Sequence, residues 1–185
     1  MLAAKQEFSN APLPEASIAN IVKSAGIPRG SFYQYFEDKE DLYLYLLNEM
    51  MEKRKRQFVK ILEKCNRDLF EGVLEFHKVS LKEEEELPDF IKNVFLNLTD
   101  KAESTFAKTM IVEDSDEAFS EIETLIDVSK LNVSGKKELY HLLKIIFSVT
   151  MRNRVEKFSK NLSYEEAVAN YEIELNLLKK GLSKN

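Results

Sequence analysis

The chain has 185 residues, 44% of them hydrophobic, which suffices to bury one good core or two small ones. Its formal net charge of −5 excludes a histone-like protein that coats DNA with a basic surface, and the single cysteine, Cys65, excludes an internal disulfide and fits a reducing cytoplasm. No apolar run approaches the roughly 18 residues of a membrane span, and no charged start leads into a long apolar stretch as in a signal peptide.

Five glycines and four prolines are few, and no run alternates with strand period, so the chain reads as all-α. Leu2, Ala4 and Phe8 supply the apolar face of a short first helix. Ser17 is an N-cap candidate, with Ile18, Ile21, Val22 and Ala25 at helical spacing behind it. Gly26 marks a left-handed stop. Ile27, before Pro28, is pushed out of the α region and keeps the turn to about three residues. Pro28 can open the next helix, where its missing N–H would have had no partner. On that helix Phe32 and Phe36 face inward, leaving Arg29, Gly30, Ser31, Tyr33 and Gln34 outward. This is the layout of a helix-turn-helix whose second helix enters the DNA major groove.

The side chains suit that task. Arg29 can grip guanine with two hydrogen bonds and Gln34 can read adenine. Gly30 and Ser31 are small enough for close approach at a helix N-terminus, which favours an anion. Tyr33 and Tyr35 offer hydroxyls to phosphates, and Lys39 suits a second phosphate clamp. Asp38 is the expected N-cap of the next helix, with Asp41 completing an imperfect capping box.

The stretch AGIPRGSFYQYFEDKEDL, residues 25–42, resembles the signature of the tetracycline-repressor (TetR) family of bacterial transcriptional regulators. That pattern runs roughly A-G-V-S-[RK]-G-[TS]-[FL]-Y-x-[YH]-F-x-[SND]-K-[ED]-x-L. Ala25, Gly26, Arg29, Gly30, Ser31, Phe32, Tyr33, Tyr35, Phe36, Lys39, Glu40 and Leu42 match in register. The likeness covers the first quarter of the chain. Pro28 departs from it, standing where the family usually has a Ser or Thr cap. Pro12 and Leu13 replace a glycine and an aromatic, and the usual basic arm before the first helix is missing.

After the head, Asp38 to about Cys65 lacks Gly and Pro and reads as one long helix joining head to body. Its basic run, Lys53 to Arg56, reads as a solvated face. Arg67 to Leu81 reads as another helix, and the acidic run Glu83–Glu86 before Pro88 as a helix end and loop. Shorter helices are expected over 89–98, 101–112 and 115–128, then two long amphipathic ones over 136–161 and 164–182. Ser163 and Glu166 form a capping box at the start of the last.

The resemblance implies an N-terminal helix-turn-helix DNA-binding domain, residues 1–45, on a helical ligand-binding and dimerisation domain, residues 46–185. It implies a homodimer built as a four-helix bundle from the last two helices. Leu139, Leu143, Ile146, Tyr171, Leu175 and Leu178 are the expected interface. Two heads held about 34–36 Å apart would read successive major grooves of a pseudo-palindromic double-stranded DNA operator. It also implies a small-molecule effector pocket in the body. Phe95, Phe106, Met110 and Phe147 are the candidate walls, with His77 or Tyr140 as polar handle.

Residues 1–56 carry eight Lys/Arg and eight Asp/Glu, so the excess acid lies in the body. DNA affinity should therefore rest on a few positioned contacts and be salt-sensitive. His77 and His141 are the only histidines, neither at metal-ligand spacing, and no catalytic constellation or phosphate loop occurs. No metal, cofactor, membrane or catalytic activity is expected. The expected function is a ligand-responsive cytoplasmic transcriptional repressor. The alternative is a ligand-sensing or protein-binding helical module whose head no longer binds DNA.

Overall fold

The structure, a computed structural model, describes residues 1–86, 88–97 and 123–182. Phe106 and Met110, the helix expected over 101–112 and most of that over 115–128 lie outside the described residues.

Among the described residues the architecture is all-α. A head of α1 (Leu2–Asn10), α2 (Ile18–Ala25) and α3 (Arg29–Phe32) leads into the long α4 (Lys39–Lys64). The body continues with α5 (Leu69–Glu86), α6 (Pro88–Leu96), a 3₁₀ turn at Val128–Lys130, α7 (Lys136–Ser159) and α8 (Tyr164–Leu182). None of these helices is long and apolar enough to cross a membrane.

Local signals set most boundaries. Gly26 ends α2 with φ 67°, and its N–H reaches back to the carbonyls of Lys23 and Val22. Ser17 occupies the N-cap position of α2, but its hydroxyl caps nothing. Instead the Glu7 carboxylate on α1 accepts the Ser17 N–H at 2.8 Å and the Asn20 amide at 3.1 Å. The helix start is thus held by a neighbouring helix. Asp38 accepts the Asp41 N–H at 2.9 Å while Asp41 accepts the Glu37 N–H at 3.0 Å, a reciprocal cap at the head of α4. Ser163 and Glu166 form the expected box on α8.

Two clusters form the core. The first joins Ala4 and Phe8 of α1, Ile21 and Val22 of α2, and Phe32 to Leu42, Tyr43, Leu46 and Leu47 of α4, and to Phe90, Ile91, Val94 and Phe95 of α6. Head and body therefore share one apolar cluster. Leu2 is the exception on α1, 77% exposed instead of on the buried face. The second cluster gathers Leu62, Leu69, Phe70 and Val73 with Leu139, Leu142, Ile146, Tyr171 and Leu175. Where α4 meets α5, Gly72 sits so close to Leu62 that an added Cβ would lie 2.6 Å from Leu62 Cδ2. The glycine permits the close crossing.

The connection between α4 and α5 is tight. Asn66 and Arg67 both have positive φ, 50° and 60°, costly for non-glycine residues unless the surroundings hold them. Here the Arg67 N–H donates to the Leu62 carbonyl at 2.8 Å, and the Arg67 carbonyl accepts from Asp127 at 2.8 Å. Helix α5 begins at Leu69, after this turn, instead of at Arg67.

The basic run on α4 is not uniformly solvated. Arg54 is only 8% exposed. Its Nη1 donates to Glu83 at 2.7 Å, to Gln57 at 3.2 Å and to Ser80 at 3.4 Å. Helix α5 accordingly runs through Glu83 and ends at Glu86, so the acidic run, read as a helix end and loop, is the helix end. A buried guanidinium requires a paired charge, and Glu83 supplies it.

Candidate nucleic-acid interface

Of the residues expected to meet DNA, Arg29, Gly30, Tyr33, Gln34 and Tyr35 are exposed and Ser31 is half-buried. All lie on α3 and the turn that follows it. Phe32, 3% exposed, anchors this segment beneath them, with Phe36 packed against its ring at 5.7 Å. Tyr35 is 78% exposed. Arg29 Nη2 donates to the Tyr33 hydroxyl at 3.2 Å, and its guanidinium lies 5.9 Å from the Tyr33 ring centre. The contact preorients an Arg–Tyr pair on the surface without burying it.

Helix α3 is shorter than its sequence pattern, only four residues. The chain continues as a turn in which the N–H groups of Tyr35 and Phe36 share the Phe32 carbonyl, both at 3.1 Å. Gly30 and the aromatic run are weak helix formers. With so few aligned peptides the helix dipole is small, so attraction of an anion falls to side chains.

Lys39 is placed differently from a free phosphate clamp. Its Nζ donates to the carbonyls of Pro14 at 2.7 Å and Ala16 at 3.0 Å. Two of its three N–H donors thus tie the start of α4 to the α1–α2 connection, leaving one for an outside acceptor. Lys39→Ala is expected to lower the melting temperature by a few degrees, for a loss of about 1–3 kcal/mol from hydrogen bonds to a charged group. A lysine that served phosphate alone would leave the melting temperature unchanged, so differential scanning calorimetry decides.

A cavity of about 100 Å³ lies in the body between α4, α5, α6 and α7. Its walls include Phe95 and Phe147 from the sequence expectation, with Met50, Met51, Phe58, Val73, Phe76 and Leu143. Its polar groups are Arg54, Ser80, Thr150 and Arg154. Neither expected polar handle lines it. Tyr140 is half-buried on α7 beside Lys144. His77 is fully buried, stacked on Tyr171 with ring centres 3.9 Å apart. Neither His77 ring nitrogen has a partner of good hydrogen-bond geometry. Burial first, then the charge of Arg154, pushes the His77 pKa down to about 2, while Asn153 is the neighbour that favours the protonated ring. The ring is a neutral core element. A lone histidine beside Phe76 gives no sequence sign of which wall it faces, and Arg54 read as one of four surface charges.

Most of the expected dimer residues are buried within one chain. Leu139, Ile146, Tyr171 and Leu175 are at most 4% exposed inside one chain. Leu143 and Leu178 are half-buried, and Leu143 lines the cavity. The apolar side chains that α7 and α8 present outward are Ile145 at 45%, Ile173 at 60% and Leu177 at 66% exposure. Both helices carry apolar residues outside their buried face, and periodicity alone cannot say which of them face inward. Among the described residues no three His, Cys, Asp or Glu converge to hold a metal.

A small helix-turn-helix head with its second helix exposed, mounted on a helical body with a cavity, has the architecture of a DNA-binding transcriptional regulator. The chain belongs to the TetR family. Residues 1–46 match the model for bacterial regulatory proteins of the tetR family, and residues 68–182 that for the tetracyclin repressor-like C-terminal domain. The fold is similar to that of a putative TetR-family regulator from Mesorhizobium loti, with TM-score 0.67, 12% identity and coverage of 99% of this chain and 94% of that one. It is also similar to a TetR regulator from a Rhodococcus species, with TM-score 0.63, 14% identity and coverage of 98% and 93%. The fatty acid degradation regulator FadR from Bacillus halodurans aligns with TM-score 0.61 and 19% identity over 94% of each chain. A comparison with curated proteins gives no match.

Proposed function

We propose that this TetR-family regulator is a homodimeric, non-enzymatic repressor of the cytoplasm that leaves its operator when a small molecule enters the body cavity. The observation that carries the reading is the surface of α3 and its following turn, where Arg29, Tyr33, Gln34 and Tyr35 are exposed together on a head anchored by Phe32. Arg29 and Gln34 would read bases, while Ser31, Tyr33, Tyr35 and the remaining donor of Lys39 would position the head on phosphates. Gly30 leaves the space for close approach. Ile145, Ile173 and Leu177 are the apolar groups a second copy would cover. Ligand and DNA would then oppose each other by a coupling of about 1–3 kcal/mol, equal in both directions.

Selection of random duplexes by the purified protein at low and moderate salt, with its mass in solution recorded, tests this reading. Recovery of a pseudo-palindrome by a dimer is expected. Failure to enrich any sequence at either salt concentration would favour a ligand-sensing module whose head does not bind DNA. On the recovered operator, Arg29→Ala should cost about 1–3 kcal/mol and relax preference at one base pair per half-site. Equal loss of affinity on operator and random DNA would reassign Arg29 to the phosphates.

A further inference from the structure

Each polar group in the wall of the body cavity already has a partner within the chain. Arg54 holds Glu83 at 2.7 Å and also donates to Gln57 and to the Ser80 hydroxyl. The other oxygen of Glu83 accepts from Gln57 at 2.6 Å. Arg154 is likewise engaged within the chain, and its guanidinium lies 5.6 Å from the Phe95 ring centre. The Thr150 hydroxyl gives its one hydrogen to the Ile146 carbonyl at 2.8 Å, so in its 2.6 Å bond with the Tyr171 hydroxyl it accepts. The rest of the wall is aliphatic, aromatic or methionine.

This pairing decides which charge a ligand can carry. An anion could reach Arg54 only in competition with Glu83, an ion pair already made. A cation would meet two buried guanidiniums and a carboxylate that Arg54 has neutralised. Either ion would leave its hydration for a wall that returns no countercharge. An uncharged apolar molecule gains from burial and gives up no such hydration. Three of the chain's five methionines, Met50, Met51 and Met151, stand in the wall. Their unbranched thioethers adapt to a guest and make favourable contacts with aromatic rings, so small benzene derivatives suit as probes.

Building on the proposed effector role of this cavity, we propose that its ligand is an uncharged, largely apolar molecule and that the cavity rejects ions of either sign. The rejection comes from charges that are balanced inside the protein, with Arg54 and Glu83 as the pair that sets it. The ligand lies against the methionines and the apolar side chains between Phe58 and Leu143.

The test compares three molecules of matched skeleton, isopropylbenzene, benzoate and benzamidinium, titrated at neutral pH into the full chain. Methionine methyl signals in NMR spectra report the binding. Met50, Met51 and Met151 should shift together with isopropylbenzene, while Met1, 53% exposed, stays in place. Isopropylbenzene is expected to bind at least about tenfold tighter than either ion, because an unpaired ion loses its hydration on burial. Leu143→Trp should abolish the shifts by filling the cavity. Binding of benzoate or benzamidinium as tight as that of isopropylbenzene overturns the assignment, and so does the absence of any shift at the three cavity methionines. The wild-type series alone decides if the variant fails to fold. Operator affinity is read separately: isopropylbenzene that binds and leaves it unchanged would remove the effector role while leaving the preference for an uncharged guest intact.

Discussion

Acidification from about pH 7 to about pH 5 is expected to cost the folded chain about 2 kcal/mol through His77 alone. The unfolded imidazole takes up a proton near its ordinary pKa of 6.5, whereas the buried ring resists protonation down to about 2. A depressed histidine pKa means the unfolded state binds more protons as the pH falls. The contribution of His77 is therefore intact above 6.5 and declines by about 1.4 kcal/mol for each further pH unit until the folded pKa is reached. Urea unfolding of wild type and His77→Phe at both pH values isolates the effect, because every other titration is common to the pair. The variant should lose less stability on acidification. Parallel losses would mean that the folded ring accepts a proton, against its full burial beneath Tyr171.

Tyr171→Ala should destabilise the chain by about 3–5 kcal/mol, the cost of removing a large ring from a packed core. Tyr171 is fully buried, stacks on His77, and shares a 2.6 Å hydrogen bond with Thr150. Tyr171→Phe keeps the ring and loses only the hydroxyl, so about 1 kcal/mol is expected. Thermal or denaturant melts of the two variants separate packing from hydrogen bonding. Near-equal losses would assign the role of this residue to the hydroxyl and its link to the cavity wall.

The head was legible because its signals are local. Gly26, Pro28 and Asp38 fix turns and caps by covalent and backbone constraints that hold in any surroundings, and all three act where the sequence places them. Ser17 shows the limit: its cap comes from Glu7, ten residues earlier in the chain. The same limit explains Arg54 and Lys39, whose partners Glu83, Pro14 and Ala16 lie 23 to 29 residues away and give no periodic signal. Long apolar stripes located α7 and α8 but not their phase, since a one-residue step turns a helix by about 100°. That step separates buried Ile146 from exposed Ile145. Within the body, hydrophobic content could announce a core but not the cavity in it, nor which of many aromatics would line it.

One contact between α6 and the head has a consequence for how the molecule comes apart. The Asn93 amide on α6 donates to both the Phe8 and Ser9 carbonyls, at 3.0 and 2.9 Å, at the end of α1 where backbone acceptors lack helical partners. Phe8 also meets Phe90 of α6, with ring centres 6.4 Å apart. The cooperative unit that contains α1 is thus discontinuous in sequence, its last piece supplied some 80 residues after its first. Amide exchange in α1 should therefore follow the opening of α6 and not that of α2 and α3. A head excised after α4 would lack the closing piece of its own folding unit.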